Sequence, residues 1–330
     1  MTSVSLGDLA RTFMLRRHNA ELKVKSQNLS TEVVTGLTSD VRKRLSGDFG
    51  TLGGIDRSLA LLEGRKSVTS EASVLAAAMQ TALEAIDTAA VDISGDLLNY
   101  GTSGSSMTLA QIGANAREEF TSAISRLNTR IGDRSVFAGT ATQQSAVADA
   151  ETILTALDGA IAGSTSAVDI ETAISDWFDS PAGYEAVGYT GGSALADIKV
   201  SDVESVHLDV TANDSAIRET LKGLAMAAMI DRATPAAAQA ALASLAGQRL
   251  VGNQVDRTEL AATLGVQQAK IESASSSNAN EIAALQIARK DLLGVDDYET
   301  ATNLEAVQTQ IETLYTLTSR LSRMSLVDYL

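Results

Sequence analysis

Cysteine is absent from this chain, which excludes disulfides and thiolate metal sites. Proline is almost absent: Pro181 and Pro235 are the only 2, so long uninterrupted helices are allowed nearly everywhere. Aromatic residues make up 4% while hydrophobic residues reach 45%, so cores must rely on Ala, Leu, Ile and Val, which suits closely packed helices. Basic charge is short, with 26 Lys and Arg against 41 Asp and Glu and a formal net charge of -15. That balance argues against a nucleic-acid partner, which needs a basic face. Two local exceptions are Arg11, Arg16, Arg17, Lys23 and Lys25, and then Arg42, Lys43 and Arg44. Both read as solvated faces, with electrostatic docking to an acidic neighbour as the alternative. No stretch reads as the roughly 18 apolar residues of a membrane span, so no membrane partner is expected. Met1 to Leu15 lacks the basic start and apolar run of a cleavable signal.

Residues suited to chemistry are equally scarce. The histidines are His18, among charges near the start, and His207, which alternates with Val206 and Leu208 and is expected to face solvent. No metal-binding, nucleophile-elbow or phosphate-cradling pattern opens a helix after a strand. Gly188, Gly191 and Gly192 read as turn residues. Glu118-Glu119 are neighbours, and adjacent helical residues point about 100° apart, a poor arrangement for joint acid–base work. Asp296-Asp297 read as favourable charge at a helix start. Trp177-Phe178 read as core. No catalytic, cofactor-binding or metal residues are expected, and the protein is not expected to be an enzyme.

What is present is helical patterning. At 330 residues, two or three structural units are expected. Near the start Leu15, Leu22 and Leu29 recur every seven residues. From Leu304 the stripe Leu304, Val307, Ile311, Leu314, Thr318, Leu321 and Ser325 alternates steps of three and four. Neither helix can bury its stripe alone, so the ends need each other or neighbouring copies. A Gly-rich break (Gly47, Gly50, Gly53, Gly54) precedes a long helix carrying Ala76, Met79, Leu83, Ile86, Ala90, Ile93 and Leu97 on one side. A turn at 99–106 leads to a second helix with Leu109, Ile112, Ala116, Phe120, Ala123, Leu127 and Ile131, predicting an antiparallel hairpin. The middle mixes periods: helices over 153–161 and 170–178, β-like runs at 187–189 and 198–210, and a helix over 215–231. Thr234-Pro235 predict a helix start that runs on to about Leu292. Asn278 takes a slot in its Leu264, Ile271, Leu285, Leu292 repeat, either fixing register or lying near solvent.

The expected fold is therefore mainly α, a long coiled-coil-like helical bundle formed by the N- and C-terminal parts, with a small mixed α/β insertion in the middle. The expected division is 1–45 with 295–330 as a terminal coiled-coil assembly domain, 46–147 with 232–294 as a helical core, and 148–231 as an outward-facing insertion.

The closing run from Leu321 to Leu330, preceded by Asp297-Tyr298-Glu299-Thr300-Ala301-Thr302, resembles the C-terminus of the bacterial flagellin family, and within it the hook-associated members of the hook–filament junction. Val136-Phe137-Ala138-Gly139-Thr140, Tyr189-Thr190-Gly191, the 210–224 stretch and Leu29-Ser30-Thr31 resemble the same family, so the likeness spans nearly the whole chain. Where the family has an acidic stretch with proline, this chain runs through Thr38-Ser39-Asp40 into Arg42-Lys43-Arg44. The resemblance implies a structural flagellar subunit, exported by the flagellar type III route without a cleavable signal and placed outside the cell. The implied partners are copies of itself in a ring, the other hook-associated junction protein on the hook side, flagellin on the filament side, and an export chaperone. The implied subunit contacts are Leu15, Leu22, Leu29, Leu304, Val307, Ile311, Leu314, Leu321, Leu326 and Tyr329, in ends that stay largely disordered until neighbours bury them. The alternatives are filament flagellin itself and, from another class, a coiled-coil signalling protein.

Overall fold

The structure is a computed structural model that describes residues 6–103 and 106–327. It is mainly α, and the chain divides into two compact units: Met1–Glu63 with Ala279–Leu330, and Gly64–Asn278.

The first unit holds α1 (Leu6–Thr35), the single turn α2 (Val41–Arg44), the start of α3 (Gly50–Ser103), the end of α9 (Gln254–Leu293) and α10 (Asp297–Val327). α1 packs along α10. Leu22, Val307 and Leu314 are buried in the seam, with Leu15, Leu29 and Ile311 packed against them. Gly36 ends α1 with φ +67, a left-handed conformation that glycine adopts freely. Its carbonyl accepts from Val295 N–H at 3.1 Å, Thr38 N–H donates to the Leu293 carbonyl at 2.8 Å, and Leu37 bridges Gly294. The two connectors are thus zipped together, and because Lys23 also lies over the Tyr315 ring, α1 and α10 run antiparallel. The Asp296 carboxylate starts α10 by accepting Glu299 N–H at 2.8 Å, with Asp297 and Glu299 in the first turn, as the sequence predicts.

The second unit is built on the 64–103 part of α3 and on α4 (Ser106–Leu127), whose predicted stripes are buried from Ala76 to Leu97 and from Leu109 to Leu127. Ala78 and Thr81 line one groove with Arg126 and Thr129, which sets the two helices antiparallel. The two-residue hairpin β1 (Arg130–Ile131) and β2 (Arg134–Ser135) follows. Next come α5 (Ala150–Ala160) and α6 (Ala167–Asp179), each opened by a capping side chain, Asp149 and Ser166. A π-helical turn at Tyr184–Gly188 precedes β3 (Ile198–Lys199) and β4 (Ser205–Val206), which pair antiparallel. α7 (Ser215–Ala228) is buried almost throughout and packs on α4, α6 and α8 (Ala236–Gly252). Trp177, Phe178 and Tyr184 form an aromatic cluster with Phe178 and Tyr184 stacked at 5.2 Å. The Tyr184 hydroxyl donates to the Ala212 carbonyl at 2.8 Å, satisfying the polar end of a buried ring.

Five sequence expectations need correction. The helix predicted from Pro235 to Leu292 breaks at Asn253, because its amide turns away to donate to the Ala216 carbonyl and Thr220 Oγ1 in α7. Pro235 stands just before α8 rather than as its first residue. Gly50, Gly53 and Gly54 lie inside α3; the break is at Gly47, with φ +86, and Asp48 accepts Gly50 N–H to start the helix. Of the 187–189 run only Tyr189 is β, in an isolated antiparallel bridge to Val147; Val187 and Gly188 close the π turn, where Gly188 presses on the Tyr184 ring. Finally, α3 is, among the described residues, long and apolar enough by length and composition to cross a membrane, contrary to the expected absence of such a stretch. Its Ala76, Met79, Leu83 and Ile86 face the core of the second unit.

Candidate assembly surface

The seam residues come from two helices that would be marginal alone, each about 30 residues long and made mostly of polar side chains. Seven-residue spacing in α1 and three-four spacing in α10 each collect leucines on one side. The structure brings six predicted contacts together: Leu22, Val307 and Leu314 buried, Leu15, Leu29 and Ile311 half-buried beside them. Leu304 is half-buried on the same helix. Leu321 and Leu326 lie on α10 with side chains outside the described residues, and Tyr329 lies outside them altogether. Asn278, on α9 in the second unit, is buried and donates from Nδ2 to the Val200 carbonyl at 3.2 Å.

The leucine seam therefore closes within one chain. Of the two expected partners, each other or neighbouring copies, α1 takes α10.

Sequence reasoning missed a second set of residues. Phe13 is 68% exposed, Val24 56%, Val34 82% and Tyr298 84%, and Met14 and Leu317 are exposed as well. At 100° per residue, Phe13, Ala20 and Val24 fall within about 40° of one another and roughly 180° from Leu22. α1 thus has apolar stripes on opposite sides, one closed by α10 and one facing outward. An eleven-residue spacing from Phe13 to Val24 was the available signal. Beside the seam, the Lys23 ammonium lies 5.8 Å from the Tyr315 ring centre, and with Asn19 it holds that phenol below its usual range.

Elsewhere the side chains read as structural. Among the described residues no group of three or more His, Cys, Asp or Glu is placed to hold a metal. His207 Nδ1 meets Asp197 Oδ1 at 2.6 Å on the surface of the second unit, and its backbone N–H takes the Gln267 amide oxygen. Lys222, 1% exposed, bonds Asp179 and Glu219, and Arg249 joins Glu219 to Glu171, tying α6, α7 and α8 together. Glu118 is exposed and Glu119 half-buried on α4, while Phe178 is in the core with Trp177 packed partly buried against it.

The described chain is thus mainly helical, with α1 paired to α10 and apolar residues of α1 left facing outward. Residues 251–330 match the family described as the bacterial flagellin C-terminal helical region. The fold is similar to a solved Vibrio parahaemolyticus structure, provisionally described as a flagellar hook-associated protein, with 11% identity and a TM-score of 0.53 over 75% of this chain and 99% of the other. No curated protein matches the sequence. The chain thus carries a stretch that matches the flagellin C-terminal helical region, within a fold similar to that solved structure.

Proposed function

We propose that this protein is the structural subunit of the junction ring between flagellar hook and filament. The observation that carries this reading is the position of the family match. The region that resembles flagellins includes α10, the helix whose seam with α1 leaves Phe13, Val24 and Tyr298 exposed. In an assembled ring those exposed groups meet neighbouring copies, and burying them provides the association energy. Residues 1–45 and 295–330 serve as the inner assembly domain, 46–147 and 232–294 as the helical core, and 148–231 as the outward insertion. Leu304, Leu321, Leu326 and Tyr329 extend the subunit contacts. Asn278 fixes the register of α9 through its bond to Val200. Outside the ring, a hook-associated protein contacts the hook side and flagellin the filament side, after export without a cleavable signal and with an export chaperone.

Filament flagellin itself is the second reading, since the matched C-terminal region is named for flagellins generally. Immunogold electron microscopy of intact cells separates the two. One labelled band at the distal end of the hook is the expected result; label along the filament would reject the junction role, and label off the flagellum would reject both.

A further inference from the structure

Charge along the α1–α10 pair is sorted into blocks. Lys23 beside Tyr315 and Leu37 beside Gly294 fix the alignment, so residues 11–25 lie level with roughly 307–322. At that end the described side chains include Arg11, Arg16, Arg17, Lys23, Lys25 and Arg320, all exposed, with Glu21 and Glu312 as the acids. Glu21 is itself held by Arg17 at 2.9 Å. At the other end, residues 26–41 and 294–309 contain Glu32, Asp40, Asp296, Asp297, Glu299 and Glu305 and no lysine or arginine. After Gly36 the chain folds back on α1, where Ser39 bonds the Asn28 carbonyl and the Glu32 carboxylate, before α2 carries Arg42, Lys43 and Arg44, the last leaning on the Leu292 carbonyl. The order along the α1–α10 pair itself is basic, then acidic.

Apart from Lys23 over the Tyr315 ring, among the described residues the sorted charges make no contact across the pair, and no ion pair joins α1 to α10. The sorting does constrain how two copies can lie side by side. In register, each block faces its own sign. Shifted by one block, the basic end of one copy meets the acidic stretch of the next, and that contact becomes favourable. The apolar face bearing Phe13 and Val24 lies at the basic end, ready to be covered in the same contact.

We propose that copies of this chain associate side by side with their α1–α10 pairs staggered by about half a helix length, roughly 22 Å at 1.5 Å per residue, basic end against acidic end. The inference rests on the assembly reading above and adds to it the register and sign of the contact. Such a contact is heterologous, so each copy leaves an unused end for the next and the arrangement propagates.

The test uses the full chain in two charge-reversed versions, Arg16→Glu with Lys25→Glu, and Glu299→Lys with Glu305→Lys. Light scattering and negative-stain microscopy follow assembly, and circular dichroism confirms that helix content is kept. Each variant alone is expected to assemble about tenfold more slowly than the parent, with an equimolar mixture restoring the parental rate. Parental assembly should also slow with added salt, since exposed charges are screened beyond about 8 Å at physiological ionic strength. The chain has no cysteine, so Arg17→Cys combined with Glu305→Cys reports the stagger directly: oxidation should link different chains, whereas Arg17→Cys alone should not. Variants that assemble at the parental rate, a mixture no better than its components, or cross-linking by Arg17→Cys alone would overturn the stagger while leaving assembly intact. A parent chain that never self-associates would remove the assembly reading and the stagger with it.

Discussion

The two units solve burial differently. The Gly64–Asn278 unit encloses whole aromatic rings: Phe120, Phe137, Phe178 and Tyr184 are each 0% exposed, and it seals a lysine in an ion network. The Met1–Glu63 and Ala279–Leu330 unit closes one narrow leucine seam and leaves Phe13, Val34 and Tyr298 mostly in water. A core of the first kind supports cooperative folding within one molecule; a seam of the second kind reserves apolar surface for a neighbour. Under the proposed function, internal order and external association fall to different stretches of one chain.

Substitutions can break or sharpen that contrast. The largest effect is expected from Phe178→Ala, which empties the aromatic cluster and should cost about 3–5 kcal/mol. The fluorescence of Trp177, its edge-on neighbour at 5.1 Å, would report a lowered unfolding midpoint for the second unit. Leu22→Ala should cost about 2–3 kcal/mol but only in the seam. Hydrogen exchange would show α1 and α10 exchanging faster while the Trp177 transition stays put; a shift in both would mean the two units are not separable in this way. Glu219→Gln removes the carboxylate shared by Lys222 and Arg249. Because Glu219 is about a third exposed, a loss of about 1–2 kcal/mol is expected in urea unfolding. Phe13→Ser with Val24→Ser should change chain stability by less than about 0.5 kcal/mol yet slow assembly measured by light scattering. Equal loss of both properties would show that these side chains already have a home within the chain.

The smallest effect concerns pH. Burial raises the Asp214 carboxyl above its ordinary 3.8, although Thr211 N–H donates to it. The fold therefore prefers the protonated acid, and this group's contribution falls as pH rises from 3.8 through the raised native value. Asp214→Asn should flatten that decline in thermal melts, gaining on the parent as pH rises.

Legibility in the sequence followed how local each determinant is. Leu15, Leu22 and Leu29 announced their seam because seven-residue spacing is a property of one helix, and the α3 and α4 stripes were readable for the same reason. The break at Asn253 was not, because the groups that take its side chain, Ala216 and Thr220, sit on another helix. Gly53 and Gly54 read as a break but are exposed in the first turns of a helix already started by Asp48, where glycine costs only about 1 kcal/mol each. The outward stripe of Phe13 and Val24 was hidden by the charged residues between them. The seam was recognisable before the structure; the face opposite it needed the structure to show which side α10 had taken.

One small feature bears on load. Where α1 leaves and α10 arrives, the backbones at Gly36–Thr38 and Leu293–Val295 are joined by hydrogen bonds of 2.8 and 3.1 Å. Rotating the helical pair about its long axis must shear both bonds at once, whereas a single connector would simply twist. Under the flagellar role proposed above, this two-ply joint would pass torque between α1 and α10 and the rest of their unit instead of dissipating it at a swivel.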